Sequence, residues 1–199
     1  MRIAVLVYGR IYNAVDHREN ILNSIGREHE VDFFLSSDNS PQYQLDSFIK
    51  SYNPKKYIND KIEHTINLRG YPTQPEVNQE NMIRHFINKK RVYDVYVKYK
   101  EETERKYDVI ISLRTDIELY TSFDFTTIGN KKIKIPNCYD YGHPGINDQI
   151  AYGKEEEMNT YNGLGEYLED LVKEKGTTVH PETLTLRNLV ERGVSIERV

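Results

Sequence analysis

A chain of 199 residues, 38% of them hydrophobic, with one cysteine and no tryptophan, can bury one substantial core but cannot build a disulfide scaffold of its own. Its formal charge of −4, with both signs interspersed, gives no electrostatic case for a large nucleic-acid footprint. The opening MRIAVLVYGRIY holds an apolar run too short for a membrane span, ended by Arg10, and lacks the features of a signal peptide.

A cytoplasmic location is therefore the expectation, with Cys138 a free thiol. Ile3–Tyr8 reads as a buried strand, and GRIYN as the turn after it. Ile21, Leu22 and Ile25 mark a helix face, and Asp16 with Glu19 has the spacing of a capping pair, so the helix is expected to start near 16. EVDFFLS at 30–36 is the next strand, broken by SSDNSP. This strand–helix–strand opening predicts an α/β sheet with ligand loops at the carboxyl ends of its strands.

SFIKSYNPKKYI predicts a short helix, a turn and a strand, and RGYPTQPEV a loop. From Glu76 or Asn78 to about Lys100 the apolar spacing predicts one long helix or two joined ones, with its charges on a wet outer face. Tyr93, Tyr96 and Tyr99 are expected to pack along it. DVIISLRTDIELY predicts a central strand ending near Leu113, and KKIKIPNCYDYG another strand with a loop. The segment after Asp148 has helical tendency, and LGEYLEDLVKEKG predicts a stronger amphipathic helix. HPETLTLRNLVERG places Pro181 at a first helical position and Gly193 at a stop, and VSIERV a last strand.

Three polar sites follow apolar strands. At the first, Gly9 permits close backbone approach and Arg10 could meet a phosphate, although GRIYNAVDH lacks the further glycines of a dinucleotide fingerprint. Asp38 and Asn39 could bind a base or ribose, or simply form a turn. At the second, Arg114 and Asp116 in RTD are spaced to share one side of an extended segment. Arg114 could stabilise a diphosphate and Asp116 ligate a divalent metal, or the two could merely lock a strand end.

The third site is CYDYGHPGINDQ with the later HPE. Asp140, Tyr141 and His143 lie in a glycine–proline turn, with Tyr139 beside them and Tyr152 downstream as candidate stacking rings. Asn147, Asp148 and Gln149 could read sugar hydroxyls, or Asn147 or Asp148 could cap a helix. His180 could cap or pack before Pro181, or complete a metal site; its spacing to His143 and Cys138 matches no zinc motif.

Taken together, VLVYGRIY, DFFLSSDNS, VIISLRTDIELY, IPNCYDYGHPGINDQIAYG and HPETLTLRNLVERGV resemble the GT-A-like glycosyltransferase superfamily, in particular small bacterial and large-virus sugar-transferase-like domains. GINDQIAYG with the downstream HPE is the most distinctive combination. The resemblance covers most of the chain and implies one domain over 1–199. The implied fold is an α/β nucleotide-binding sandwich with a mixed or mostly parallel central sheet flanked by helices. The family's DxD motif, which binds a divalent cation and diphosphate, is matched by RTD only at Asp116. With Arg114 in place of the first carboxylate, metal dependence is weaker, differently arranged or absent.

The resemblance further implies a nucleotide-sugar donor, UDP-linked by preference, and transfer to a hydroxyl on a glycan or related acceptor. Asp148 matches the base or acceptor-binding group of inverting members, and His180 the late histidine that helps hold Mn²⁺ or Mg²⁺ or the diphosphate. Gly9, Arg10, Asp38, Asn39, Arg114 and Asp116 would face the donor, and Asp140, Tyr141, His143, Asn147 and Gln149 the sugar or acceptor. Two other readings are a non-catalytic nucleotide- or carbohydrate-binding module and a sugar-phosphate nucleotidyltransferase. Composition and motifs leave the oligomeric state open.

Overall fold

Seven strands form one sheet in the order β3-β2-β1-β4-β6-β5-β7 in the computed structural model, which describes residues 1–12, 14–129, 131–137 and 144–199. The strands are β1 (Arg2–Tyr8), β2 (Glu30–Ser36), β3 (Lys56–Ile58), β4 (Val109–Arg114), β5 (Lys132–Ile135), β6 (Ile150–Gly153) and β7 (Ser195–Arg198). All pairings are parallel except those of β6, which runs against both β4 and β5. The expected mixed, mostly parallel sheet is therefore present.

The alternation of side chains along a strand divides the core in two. Ile3, Val5 and Val7 of β1 face one side, where they meet helices α1 (Arg18–Ile25) and α2 (Gln42–Tyr52) through Ile21, Ile25, Leu45 and Phe48. Ala4, Leu6 and Tyr8 face the other, against α3 (Gln79–Thr103), α4 (Glu155–Asn162) and α5 (Pro181–Glu191). Both faces are covered, which is why β1 is apolar almost throughout. Tyr93 and Tyr96 lie buried along α3 as expected, with Tyr99 partly buried beside them.

A third cluster joins the first half of α3 to the segment 163–174 and to α5 through Met82, Phe86, Leu164, Leu168 and Leu184. Asn78 caps α3 by accepting the Asn81 N–H at 3.0 Å, and Pro181 opens α5 at its first turn. Gly193 ends that last helical segment with φ +68°, as expected from its place in the sequence.

Three local expectations fail. The residues after Asp148 form β6, because Ile150, Ala151, Tyr152 and Gly153 are buried between β4 and β5 in register with Leu113, Ser112, Ile111 and Ile110. Tyr152 accordingly packs edge-on against Phe123 and Phe125 in the core and is no loop-borne stacking ring. LGEYLEDLVKEKG forms a 3-10 turn (Gly163–Glu166) and a π-helical turn (Asp170–Glu174) where an α-helix was expected. Gly165 presses its backbone so close to Phe86 O that a Cβ would stand 2.9 Å from it, and this contact replaces continuous winding. Asp16 and Glu19 form no cap; a 3-10 turn, Ala14–His17, leads into α1, and His17 makes no side-chain capping bond.

Candidate functional site

The strand order reverses between β1 and β4, and the cleft opens at their carboxyl ends, where open α/β sheets bind ligands. β1 runs into Gly9 at φ +116°, where a Cβ would stand 3.0 Å from Thr115 Oγ1, so only glycine lets the two strand ends approach this closely. Gly9 N donates to Ser36 O, Thr115 N to Tyr8 O and Arg114 N to Gln149 O, each at 3.0 Å. These bonds join the exits of β1, β2 and β4 to the entry of β6. Because β6 is antiparallel, its first residues lie at the same end of the sheet, which brings Asp148 there.

A first cleft of about 280 Å³ is lined by Gly9, Arg10, Asp38, Arg84, Arg114 and Asp116 among others. Asp38 Oδ1 accepts the Ile62 N–H at 2.8 Å, and Oδ2 accepts from Arg84 at 2.9 Å. Burial pushes the Asp38 carboxyl up, but the Ile62 N–H and the Arg84 guanidinium outweigh it and hold its pKa below the usual value. Arg114 reaches both oxygens of Asp116, at 2.5 and 3.0 Å, in a forked pair. Among the lining side chains three guanidiniums thus face two carboxylates, one positive charge in excess, and Arg84 is also bonded to Glu80 outside the lining at 2.7 Å. Asn39, at φ 50°, is the exposed corner of the turn after β2 and does not line this cleft.

A second cleft of about 530 Å³ adjoins the first and shares Asn81, His85 and Arg114 with it. Its wall includes Glu76, Asp148, His180 and Glu182. Asp148 is only 4% exposed, and His85 Nε2 stands 3.0 Å from its Oδ2. Burial pushes this carboxyl up, but His85, Lys89 and Arg114 together hold its pKa below the ordinary value. Lys89 is wholly buried beneath it, donating to Asp148 O at 3.3 Å with its ammonium 3.4 Å from the centre of the Tyr161 ring. Burial lowers the Lys89 pKa to about 7, against the opposing pull of Asp148. Burial, then the Asp148 charge, raises that of Glu182 to about 7.

Asn147 and Gln149 have structural partners. Asn147 Oδ1 accepts the Gln149 N–H at 2.8 Å, a turn that leads into β6 and not a helix cap. The carbonyls of Asp148 and Gln149 accept the Tyr8 hydroxyl at 3.1 and 3.0 Å. Neither Asn147 nor Gln149 lines either cleft. Cys138, Tyr139, Asp140, Tyr141 and His143 lie outside the described residues.

Asp116 and His180 do not converge as ligands. Asp116 is engaged by Arg114 in the first cleft, whereas His180 lies in the second, with Nδ1 3.0 Å from Thr183 Oγ1 and Nε2 3.2 Å from Glu182 Oε2. Among the described residues, no three His, Cys, Asp or Glu side chains are grouped to hold a metal ion.

Helix α3 contributes what the sequence reading assigned to a wet outer face. Asn81, Arg84, His85 and Asn88 line the first cleft, and Lys89 lies beneath Asp148. The signal was present: positions 81, 84, 85 and 88 form a polar stripe at helical spacing beside the apolar stripe of Met82, Phe86 and Val92. Glu182, the last residue of HPE, joins His180 in the wall of the second cleft.

No protein-family model and no curated protein sequence matches the chain. Solved structures do match. The galactosyltransferase LgtC, in complex with donor and acceptor sugar analogues, is similar at a TM-score of 0.59 and 12% identity, over 98% of this chain and 73% of its own. The glycosyltransferase GlyE of Streptococcus pneumoniae TIGR4 is similar at 0.54 and 13% identity, over 98% of this chain. The fold is GT-A-like. A nucleoside-diphosphate-sugar pyrophosphorylase of Vibrio cholerae RC9 shares it at 0.51 and 11% identity, over 98% of this chain and 90% of its own. The chain spans 44% of the length of GlyE. At such identities the likeness is one of fold, and the chain's chemistry follows from its own side chains. None of its helices among the described residues is long and apolar enough to cross a membrane.

Proposed function

We propose that this chain transfers a sugar from a nucleotide-sugar donor to a hydroxyl of a glycan or related acceptor, with inversion at the anomeric carbon. The observation that carries the reading is the pair of adjoining clefts, one with excess positive charge and one lined by carboxylates, that share His85 and Arg114. The first suits a nucleoside diphosphate, whose negative charge grows as the glycosidic bond breaks; Arg114, Arg84 and Arg10 are the cations that would meet it. The second suits an acceptor hydroxyl, which needs a proton acceptor beside it.

A UDP-sugar is the donor favoured by the resemblance. Because Arg114 occupies Asp116, the leaving diphosphate is stabilised here by guanidiniums, and no step is assigned to a metal. A divalent cation, Mn²⁺ or Mg²⁺, brought in by the diphosphate would have Asp116 as its carboxylate, at the expense of the Arg114 pair.

Calorimetric titration with a panel of UDP- and GDP-sugars, in Mn²⁺, in Mg²⁺ and in chelator, tests this directly. One donor should bind selectively and keep most of its affinity in chelator, and Arg114→Ala should weaken it about 10- to 100-fold. Failure of every donor to bind folded protein would remove the reading. Donor binding with no nucleoside diphosphate released in any acceptor mixture would favour a binding module.

A further inference from the structure

We infer that His85, rather than Asp148, takes the proton from the acceptor hydroxyl, and that Asp148 positions its imidazole. The inference rests on the sugar-transfer reading above and specifies its base. His85 lines both clefts, whereas Asp148 lines only the second. Side-chain exposure ranks them the same way, 14% for His85 against 5% for Asp148. Asp148 Oδ2 stands 3.0 Å from His85 Nε2, which has no other polar partner among the described residues.

The surroundings of Asp148 favour a fixed anion over a proton acceptor. Against burial, which raises its pKa, the Lys89 and Arg114 cations stabilise its charged form and lower its basicity. A carboxylate beside one ring nitrogen fixes the tautomer, leaving the other nitrogen free to accept a proton. Here Nε2 would carry the hydrogen toward Asp148, and Nδ1 would be the acceptor.

Each element packed around the ring contributes. Tyr8 of β1 meets it edge-on at 5.3 Å between centroids. Arg114 of β4 and Glu182 of α5 share the second cleft with it. Arg84 and Lys89 flank it on α3, the former paired to Asp38 and the latter beneath Asp148.

In the step itself, the acceptor oxygen forms a bond to the anomeric carbon while the bond from that carbon to the diphosphate oxygen breaks. The electron pair leaves with the diphosphate, which the first cleft's guanidiniums receive. The acceptor proton passes to the imidazole, and the imidazolium is held by Asp148 until it returns the proton to solvent.

The experiment uses the full chain and the donor of highest affinity, with transfer to water or acceptor read as released nucleoside diphosphate. His85→Ala is expected to keep donor affinity and lose about 10²- to 10⁴-fold in rate. Added imidazole should restore part of that rate, and the acid limb of the rescued reaction should move with the pKa of the substituted imidazole supplied. Glu182→Gln should leave the acid limb of the wild-type rate in place, which separates the imidazole from the neighbouring Glu182 carboxyl. Nitrogen-15 spectra of the unliganded protein should show His85 as the Nε2–H tautomer, with Asp148→Asn mixing in the other.

An Nδ1–H tautomer in the wild type would overturn the inference. So would a His85→Ala variant with unchanged rate, with lost donor affinity, or with a loss that no imidazole restores. A wild type that releases nucleoside diphosphate from no donor would remove the sugar-transfer reading itself, a failure distinct from all of these.

Discussion

Glu182 and Lys89 approach Asp148 from different helices, and their shifted ionisations act on stability with opposite signs. The Glu182 carboxyl titrates at about 7 in the fold against an ordinary 4.5, so the native state holds its proton where the unfolded chain has lost it. Its stabilising contribution is full below about pH 4.5 and is lost as pH rises through about 7, at a cost of a few kcal/mol at most. The Lys89 ammonium titrates at about 7 against an ordinary 10.5, so the unfolded chain holds the extra proton and stability rises from about pH 7 toward 10.5. Urea unfolding across pH 5 to 10 should therefore show a minimum near neutrality. Glu182→Gln should flatten the acid side alone, and Lys89→Met the alkaline side alone. A monotonic fall through this range would refute the Lys89 assignment, and a monotonic rise the Glu182 one.

Among the elements, the first turn of α5 is set by the loop that enters β6. Ile146 N donates to Glu182 O at 3.2 Å, and Gly145 packs so tightly beneath that turn that a Cβ would stand 2.7 Å from Glu182 Cβ and 2.9 Å from its carbonyl carbon. Gly145→Ala must push the helix start, and His180 with Glu182, away from the second cleft. Overpacking of this kind costs about 1–3 kcal/mol, or about 2–12 °C in Tm for a chain of this size. Calorimetry should show that fall, while donor affinity in the first cleft changes by less than about threefold, within roughly 0.7 kcal/mol. Gly163→Ala, where a Cβ meets nothing within 4 Å, should leave Tm unchanged or slightly higher.

The same pair of elements shows what sequence could reveal. β1, β2 and β4 were legible because each is a run of apolar residues bounded by polar turns, and RTD and GIND were legible as site candidates because they adjoin such runs. β6 was not: IAYG is too short to carry a period, and only its non-local pairing of Tyr152 with Ile111 makes it a strand. Leu164, Leu168, Leu171 and Val172 gave the buried side of 163–174 correctly, yet the close approach of Gly165 to α3 broke the helix they imply. His85 escaped notice because the crossover that returns α3 over the sheet, and not any local signal, places it beside Asp148.

At the scale of the whole molecule, the fold alone does not choose between sugar transfer and nucleotide transfer, since a glycosyltransferase and a nucleoside-diphosphate-sugar pyrophosphorylase resemble the chain about equally. The two chemistries place their charge differently. Making a nucleotide sugar brings a nucleoside triphosphate and a sugar phosphate into one site, whereas sugar transfer brings a nucleotide sugar and an uncharged hydroxyl, so the first gathers far more negative charge for the site to neutralise. The first cleft has one positive charge in excess, and its Asp116 is already matched by Arg114. Sugar transfer would also need room for an acceptor beside a group able to take a proton, and the second cleft, which adjoins the first, is lined by His85 and Asp148. We therefore expect phosphorus-31 spectra of reactions run with nucleotide sugars to show nucleoside diphosphate accumulating. Reactions run with nucleoside triphosphates and sugar 1-phosphates should show no pyrophosphate above a protein-free control. Arg114→Ala should abolish the first signal and create no second. Pyrophosphate produced in proportion to nucleotide sugar would reverse the assignment and make the second cleft a site for the sugar phosphate.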